Sequence, residues 1–217
     1  MLKDLINEIT VFLKGKTVDS LVPPLIFVSL NAFFNLTIAI VLSITFSLFI
    51  ILYRWLHKEN IKYALIGFVM LAFASLLAIL TNNPNSYFLP DLITNSILVV
   101  LSLVLLILNK PLAAYASHLT RAWPLAWYWR KDIKPAYFEV SLFWLIFFLF
   151  KSIIQVIMLF YVESTFLNLL IGLPFTLLIM SLSYIYGILR LKQLKGPSVE
   201  EFIQDKPKPY KGQTKGF

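Results

Sequence analysis

Residues 21–53, LVPPLIFVSLNAFFNLTIAIVLSITFSLFIILY, run for 33 positions without a charged side chain. A helix rises about 1.5 Å per residue, so a single helix of that length reaches about 50 Å, against a hydrocarbon core of about 30 Å. Tilt does not absorb so large an excess. The stretch therefore reads as two helices with the turn marked by Asn31 and Asn35: a short first span from about Pro23 to Asn35, then a full one from Thr37 to Leu56. Pro24 suits the first turn of a helix, where its missing N–H costs nothing. The alternative is one long kinked helix and five spans in all.

Four more apolar stretches follow: Tyr63 to Leu80, Leu92 to Leu108, Val140 to Val162 and Phe166 to Leu189, the last kinked by Pro174. The link from Thr81 to Pro90 is rich in turn formers, and Asn109-Lys110-Pro111 breaks the fourth span because a residue before proline is pushed out of helical geometry. The expected fold is thus all-α, a polytopic integral membrane protein of about six transmembrane helices, the first one short.

Composition agrees. The chain has 217 residues, of which 59% are hydrophobic and 14% charged, far from the roughly one-quarter charged usual in soluble domains. Bilayer is its solvent. The net charge of +8 does not point to nucleic acid, because the basic residues flank apolar spans and form no single stripe. The link between spans two and three holds Arg54, Lys58 and Lys62 against Glu59. That between four and five holds Lys110, Arg121, Arg130, Lys131 and Lys134 against Asp132 and Glu139, while the intervening links carry only Asp91 and Glu163. By the positive-inside rule, both basic links, the basic end (Arg190, Lys192, Lys195) and both termini fall on the cytoplasmic side of the cytoplasmic membrane.

Three segments lie outside the spans. Residues 1–20 are no secretory signal: Leu2, Leu5, Ile6, Ile9 and Leu13 recur at helical spacing between Asp4, Glu8 and Lys14, as in an amphipathic surface helix. Residues 21–192 form the membrane domain. Within it, Pro111 to Lys131 reads as an interfacial amphipathic helix broken at Pro124. There Tyr115, Trp123, Trp127, Tyr128 and Trp129, with His118 among them, read as an aromatic anchor that sets the tilt of the fourth and fifth spans; the sharper reading is that Arg121, Arg130 and Lys131 hold anionic lipid headgroups beside the stacked aromatics. Residues 193–217 are polar, basic and rich in Pro, a composition expected to stay disordered.

Catalytic chemistry is weakly represented. There is no Cys, which excludes disulfide and thiol chemistry, and His57 and His118 are too few for a zinc-type cluster, so no metal and no cofactor are expected. Gly15-Lys16-Thr17 lacks the earlier glycine and the strand of a phosphate loop. Asn35-Leu-Thr37 fits a glycosylation acceptor but lies in a tight turn within an apolar block. No nucleophile elbow or His-Glu-x-x-His helix is present. An enzyme acting on lipid would have to use His118 as general base with Arg121 on a phosphate, one helical face apart at i, i+3.

One residue breaks the pattern. Lys151 stands at the centre of Val140 to Val162, about 16 Å of helix from either end, beyond the reach of a snorkelling side chain. An ammonium there costs at least about 2.5–3.5 kcal/mol, so it must face the bundle interior or a wet cavity. Gln155 shares its face at i+4. Asn95, Asn168, Ser183 and Tyr184 are the candidates to satisfy it. Two functional roles are open to the pair Lys151 and Gln155, a structural polar anchor or the site of an anionic solute in a small carrier or channel. A third reading places the span boundary elsewhere.

The order of elements resembles the septation protein A-like family of prokaryotic inner-membrane proteins and related families of unknown function. The resemblance rests on a short Pro-containing first span, Tyr53-Arg54-Trp55 closing the second, Phe88-Leu-Pro-Asp-Leu-Ile-Thr-Asn95, and Asn-Lys-Pro111 followed by a Trp-rich segment and two final spans. It covers about residues 21 to 192. It implies a non-catalytic role in cell division or envelope maintenance, exercised through membrane lipids or other envelope and division membrane proteins.

Overall fold

A computed structural model describes residues 18–162, 164–194, 196–213 and 216–217, and the side chains of 18–23, 63 and 173 lie outside the description. The amphipathic segment expected at the N-terminus therefore falls outside the described residues up to position 17. Among the described residues every regular element is helical. These are α1 (Val18–Phe33), α2 (Leu36–Leu56), α3 (Lys62–Thr81), a 3-10 turn (Pro84–Phe88), α4 (Leu89–Ile107), α5 (Leu112–Arg121), α6 (Leu125–Tyr128), α7 (Lys134–Tyr161), α8 (Thr165–Ile171), α9 (Leu173–Leu194) and α10 (Val199–Ile203).

Five described stretches are long and apolar enough to cross a bilayer: Leu36–Leu56, Ala64–Thr81, Pro84–Ile107, Lys134–Tyr161 and Thr165–Leu194. Pro24–Phe33 is a shorter apolar helix beside them. The 33-residue opening block is broken where its length demands. α1 ends at Phe33, and Asn35 caps α2 by accepting a hydrogen bond from the Ile38 N–H at 2.9 Å. One long kinked helix is thereby ruled out. The helix starts shift outward. α1 starts at Val18, which places Pro23 and Pro24 in its second turn, and α7 starts at Lys134 instead of Val140. Glu139 is tolerated on α7 because Arg190 of α9 grips it through two guanidinium nitrogens at 2.7 and 2.9 Å, with the Tyr186 hydroxyl donating at 2.8 Å. The last apolar stretch is interrupted at Gly172, and Pro174 sits at the second position of α9.

The chain forms two compact units, residues 1–93 with 154–175 and residues 94–153 with 176–217. In the first, α2 buries Ala39, Ser43 and Ser47 at every fourth position, and α3 buries Ala74 and Ala78 at the same spacing. Lipid tails are as apolar as Leu, so helices in a membrane associate by close packing over small residues instead. Phe27 of α1 stacks on Tyr87 of the 3-10 turn at 4.1 Å between ring centroids and closes that core. Large apolar side chains such as Phe49, Val69 and Leu80 point outward.

The second unit is built on aromatics. Trp127, Tyr128 and Tyr137 are fully buried, meeting edge to face at centroid distances of 5.0–5.9 Å. The α5 N-terminus is satisfied by the Ser141 hydroxyl of α7, which accepts from the Ala113 N–H at 2.9 Å and donates to the Tyr137 carbonyl. α5 ends where Ala122 takes a left-handed conformation (φ 55°), and Pro124 opens the single turn α6.

The Pro- and Lys-rich end, expected to be disordered, is folded onto this unit over residues 196–213 and 216–217. The Trp127 indole donates to the Pro197 carbonyl at 3.0 Å, and Phe217 stacks on Tyr137 at 4.3 Å. Ser198 and Glu201 form a reciprocal capping box on α10. The Glu201 carboxylate also accepts from the N–H groups of Lys211 (2.7 Å) and Gly212 (3.3 Å). Composition missed this because the segment has no core of its own and uses aromatic surface supplied from residues 127–137.

Candidate functional site

The polar side chains singled out within the apolar stretches separate between the two units. In the first unit the organising group is Asn85, from the link that reads in sequence as a mere turn. α7 ends in carbonyls that no later N–H of the helix can reach, and in hydrocarbon such groups are costly. The Asn85 amide nitrogen donates to the carbonyls of Met158 (3.1 Å) and Val162 (2.6 Å), and the Asn83 amide donates to Leu159 at 3.1 Å. Asn168 of α8 donates in turn to the Asn85 side-chain oxygen at 3.0 Å. The link thus acts as a detached C-cap for the long helix.

Gln155 belongs to this cluster. Its amide nitrogen donates to the Asp91 carboxylate at 2.7 Å. Asp91 lies in the first turn of α4, where the helix dipole favours negative charge. Sequence reading left Asp91 as a link residue at a span end, but α4 starts at Leu89 and takes it into the helix. Asn85, Phe88, Leu89, Leu92, Gln155, Leu159 and Asn168 surround a void of about 10 Å3. That is room for a single water at most.

In the second unit, Lys151 is 2% exposed, and its Nζ donates to the Thr176 hydroxyl of α9 at 3.1 Å. It stands 10 residues before the end of α7 and 17 after its start, so the observed helix moves it off centre while leaving it deep. Asn95 of α4 is buried. Ser183 accepts from the Trp144 indole at 3.0 Å. Tyr184, a candidate to satisfy Lys151, accepts from Arg121 at 3.4 Å. Thr176 was missed because a lone hydroxyl in an apolar run gives no sequence signal.

The candidate lipid-facing residues are drawn into this unit by its own contacts. Trp127 has no exposed surface, so it is a core residue and not an interfacial anchor. Arg121 donates to the main-chain oxygen of Phe217 at 3.0 Å and lies 5.2 Å from the centre of the Trp123 ring. Arg130 makes a two-pronged bond to Asp132, both contacts at 3.1 Å, which holds its guanidinium above the usual value. Burial pushes the Tyr128 hydroxyl up, and that group donates to Ser117 at 3.0 Å. Lys131 remains exposed. His118 Nδ1 lies 2.6 Å from the Trp123 carbonyl. A carbonyl only accepts, so Nδ1 carries the proton and the ring ties the end of α5 to the next segment. His118 and Arg121 thus each hold the polypeptide, an arrangement that gives no support to a base and phosphate pair. Among the described residues no group of three His, Cys, Asp or Glu side chains is placed to hold a metal.

Comparison with known families matches residues 14–193 to DUF3159, described as a protein of unknown function. No curated protein and no solved structure matches the chain.

Proposed function

The chain belongs to that family, and from the geometry we propose that it is a non-catalytic protein of the cytoplasmic membrane, acting through contacts with other envelope membrane proteins or with lipids. One observation carries the reading. The polar side chains of the first unit bond to one another around a void of only about 10 Å3, so they serve the packing of the helices. The outward apolar faces then remain as the surface that meets partners. The basic links support a topology with both termini cytoplasmic, and the resemblance to septation proteins supports a role in division or envelope maintenance. Photo-crosslinking from the outward positions Phe49 and Val69 in native membranes is expected to trap a discrete protein or lipid adduct. Finding none overturns the proposal.

A second reading, a small carrier for an anionic solute, draws support from the interruption of the last apolar stretch at Gly172. Carriers build midplane sites around broken helices of this kind. Flux of a chosen anion into vesicles compared between the native chain and Lys151→Met separates the two, since equal flux removes the carrier.

A further inference from the structure

We infer that the folded end of the chain forms a binding site for the anionic headgroup of a membrane lipid. The site is a cavity of about 640 Å3 lined by Lys192, Lys208, Pro209, Tyr210, Lys211, Gly212 and Gln213, all within the second unit. Volumes of this size accept small organic ligands. Three of its lining residues are lysines and none is acidic; the nearby Glu201 carboxylate is taken up by main-chain N–H groups of the loop.

The backbone beneath these exposed lysines is held, and does not merely hang as a loose tail. The Glu201 carboxylate binds the N–H groups of Lys211 and Gly212, the Ser198 cap fixes α10 on which Glu201 sits, and Gln213 accepts from the Val199 N–H at 3.2 Å. The contacts at Lys211, Gly212 and Gln213 pin that stretch of the loop to α10. Because ammonium groups are compact point charges with several donors each, three of them around one pocket suit a phosphate better than a planar carboxylate.

Depth selects the lipid over a free anion. Lys192 occupies the last turn of α9, and that helix closes an apolar stretch long enough to span the bilayer. The cavity mouth therefore lies where that stretch leaves the hydrocarbon, at the level of the phosphates. Basic clusters at such a position attract anionic headgroups. The inference rests on the membrane reading above and names one lipid contact within it; it does not require any protein partner.

Native mass spectrometry tests it on full-length protein taken from nanodiscs containing equal phosphatidylglycerol and phosphatidylcholine. The native chain is expected to retain phosphatidylglycerol preferentially. The combined change Lys192→Gln, Lys208→Gln and Lys211→Gln is expected to reduce that retention at least about fivefold. A control with the same loss of charge elsewhere, Lys58→Gln, Lys62→Gln and Lys110→Gln, is expected to change it less than about twofold. Glu201→Gln keeps every lysine but slackens the loop, and an intermediate loss is expected, which guards against misfolding of the triple variant. Equal retention of both lipids, equal losses in the two triple variants, or complete displacement by millimolar inorganic phosphate each overturns the inference. Crosslinks to a protein partner are read separately, so the broader contact role and this site fail independently.

Discussion

Asn85 shows how a single side chain can decide the cost of ending a helix in a bilayer. Its amide donates to two carbonyls at the end of α7 while its oxygen accepts from Asn168. The void beside it has room for one water at most. Asn85→Ala leaves those groups without partners, and the expected loss of stability is about 1–3 kcal/mol, read as a shift in unfolding in detergent micelles. A shift near zero would mean that other groups cap the helix. In the sequence, Asn85 appears only as one letter of a turn-rich link, because the carbonyls it serves lie more than 70 positions away. Asn35, by contrast, could be read at once, since both its cap and the length argument that requires it are local. Lys151 was legible as an exception, but its partner Thr176 was not.

At the scale of elements, α10 and the loop it controls depend on the charge of Glu201. The main-chain N–H groups of Lys211 and Ser198 hold its carboxyl down at about 2, from an ordinary 4.5. The folded state therefore favours the ionised form, and this contribution is complete above about pH 4.5 and lost as the pH falls toward about 2. Hydrogen exchange at the Lys211 and Gly212 amides is expected to stay slow from neutral pH to about 4.5, after correction for intrinsic rates, and to quicken below. Glu201→Gln is expected to show faster exchange at neutral pH with no step in that window; an unchanged profile would sink the assignment. Against the expected six spans, the described residues hold five span-length stretches and a shorter apolar helix over Pro24–Phe33. Hydropathy reports burial in lipid but not where caps sit, so α4 and α7 each start earlier than their apolar cores. Composition failed for residues 196–217 because it measures what a segment buries by itself.

Over the whole molecule, apolar surface is divided between outward faces that suit lipid and an aromatic core in the second unit that the end of the chain completes. Phe217 fits there because Gly187 of α9 leaves space: a Cβ at Gly187 would come within 2.5 Å of the Phe217 ring. Gly187→Ala is therefore expected to expel Phe217 and expose Tyr137, detected as faster tryptic cleavage after Lys211, the lysine of residues 206–212 not followed by proline, and Gly187→Ala combined with Phe217→Ala is expected to add little to the damage of either change alone. Additive damage would show that the ring does not occupy that space.

The docking of residues 196–213 and 216–217 also sets an order of events in biogenesis. Trp127 and Tyr137 leave the ribosome about 60 residues or more before the segment that covers them, and all of the span-length stretches are made first. The aromatic surface of residues 123–137 must therefore wait uncovered while the last two helices enter the bilayer. During that interval its rings have no cover from the chain itself, until Pro197 reaches Trp127 and then Phe217 reaches Tyr137.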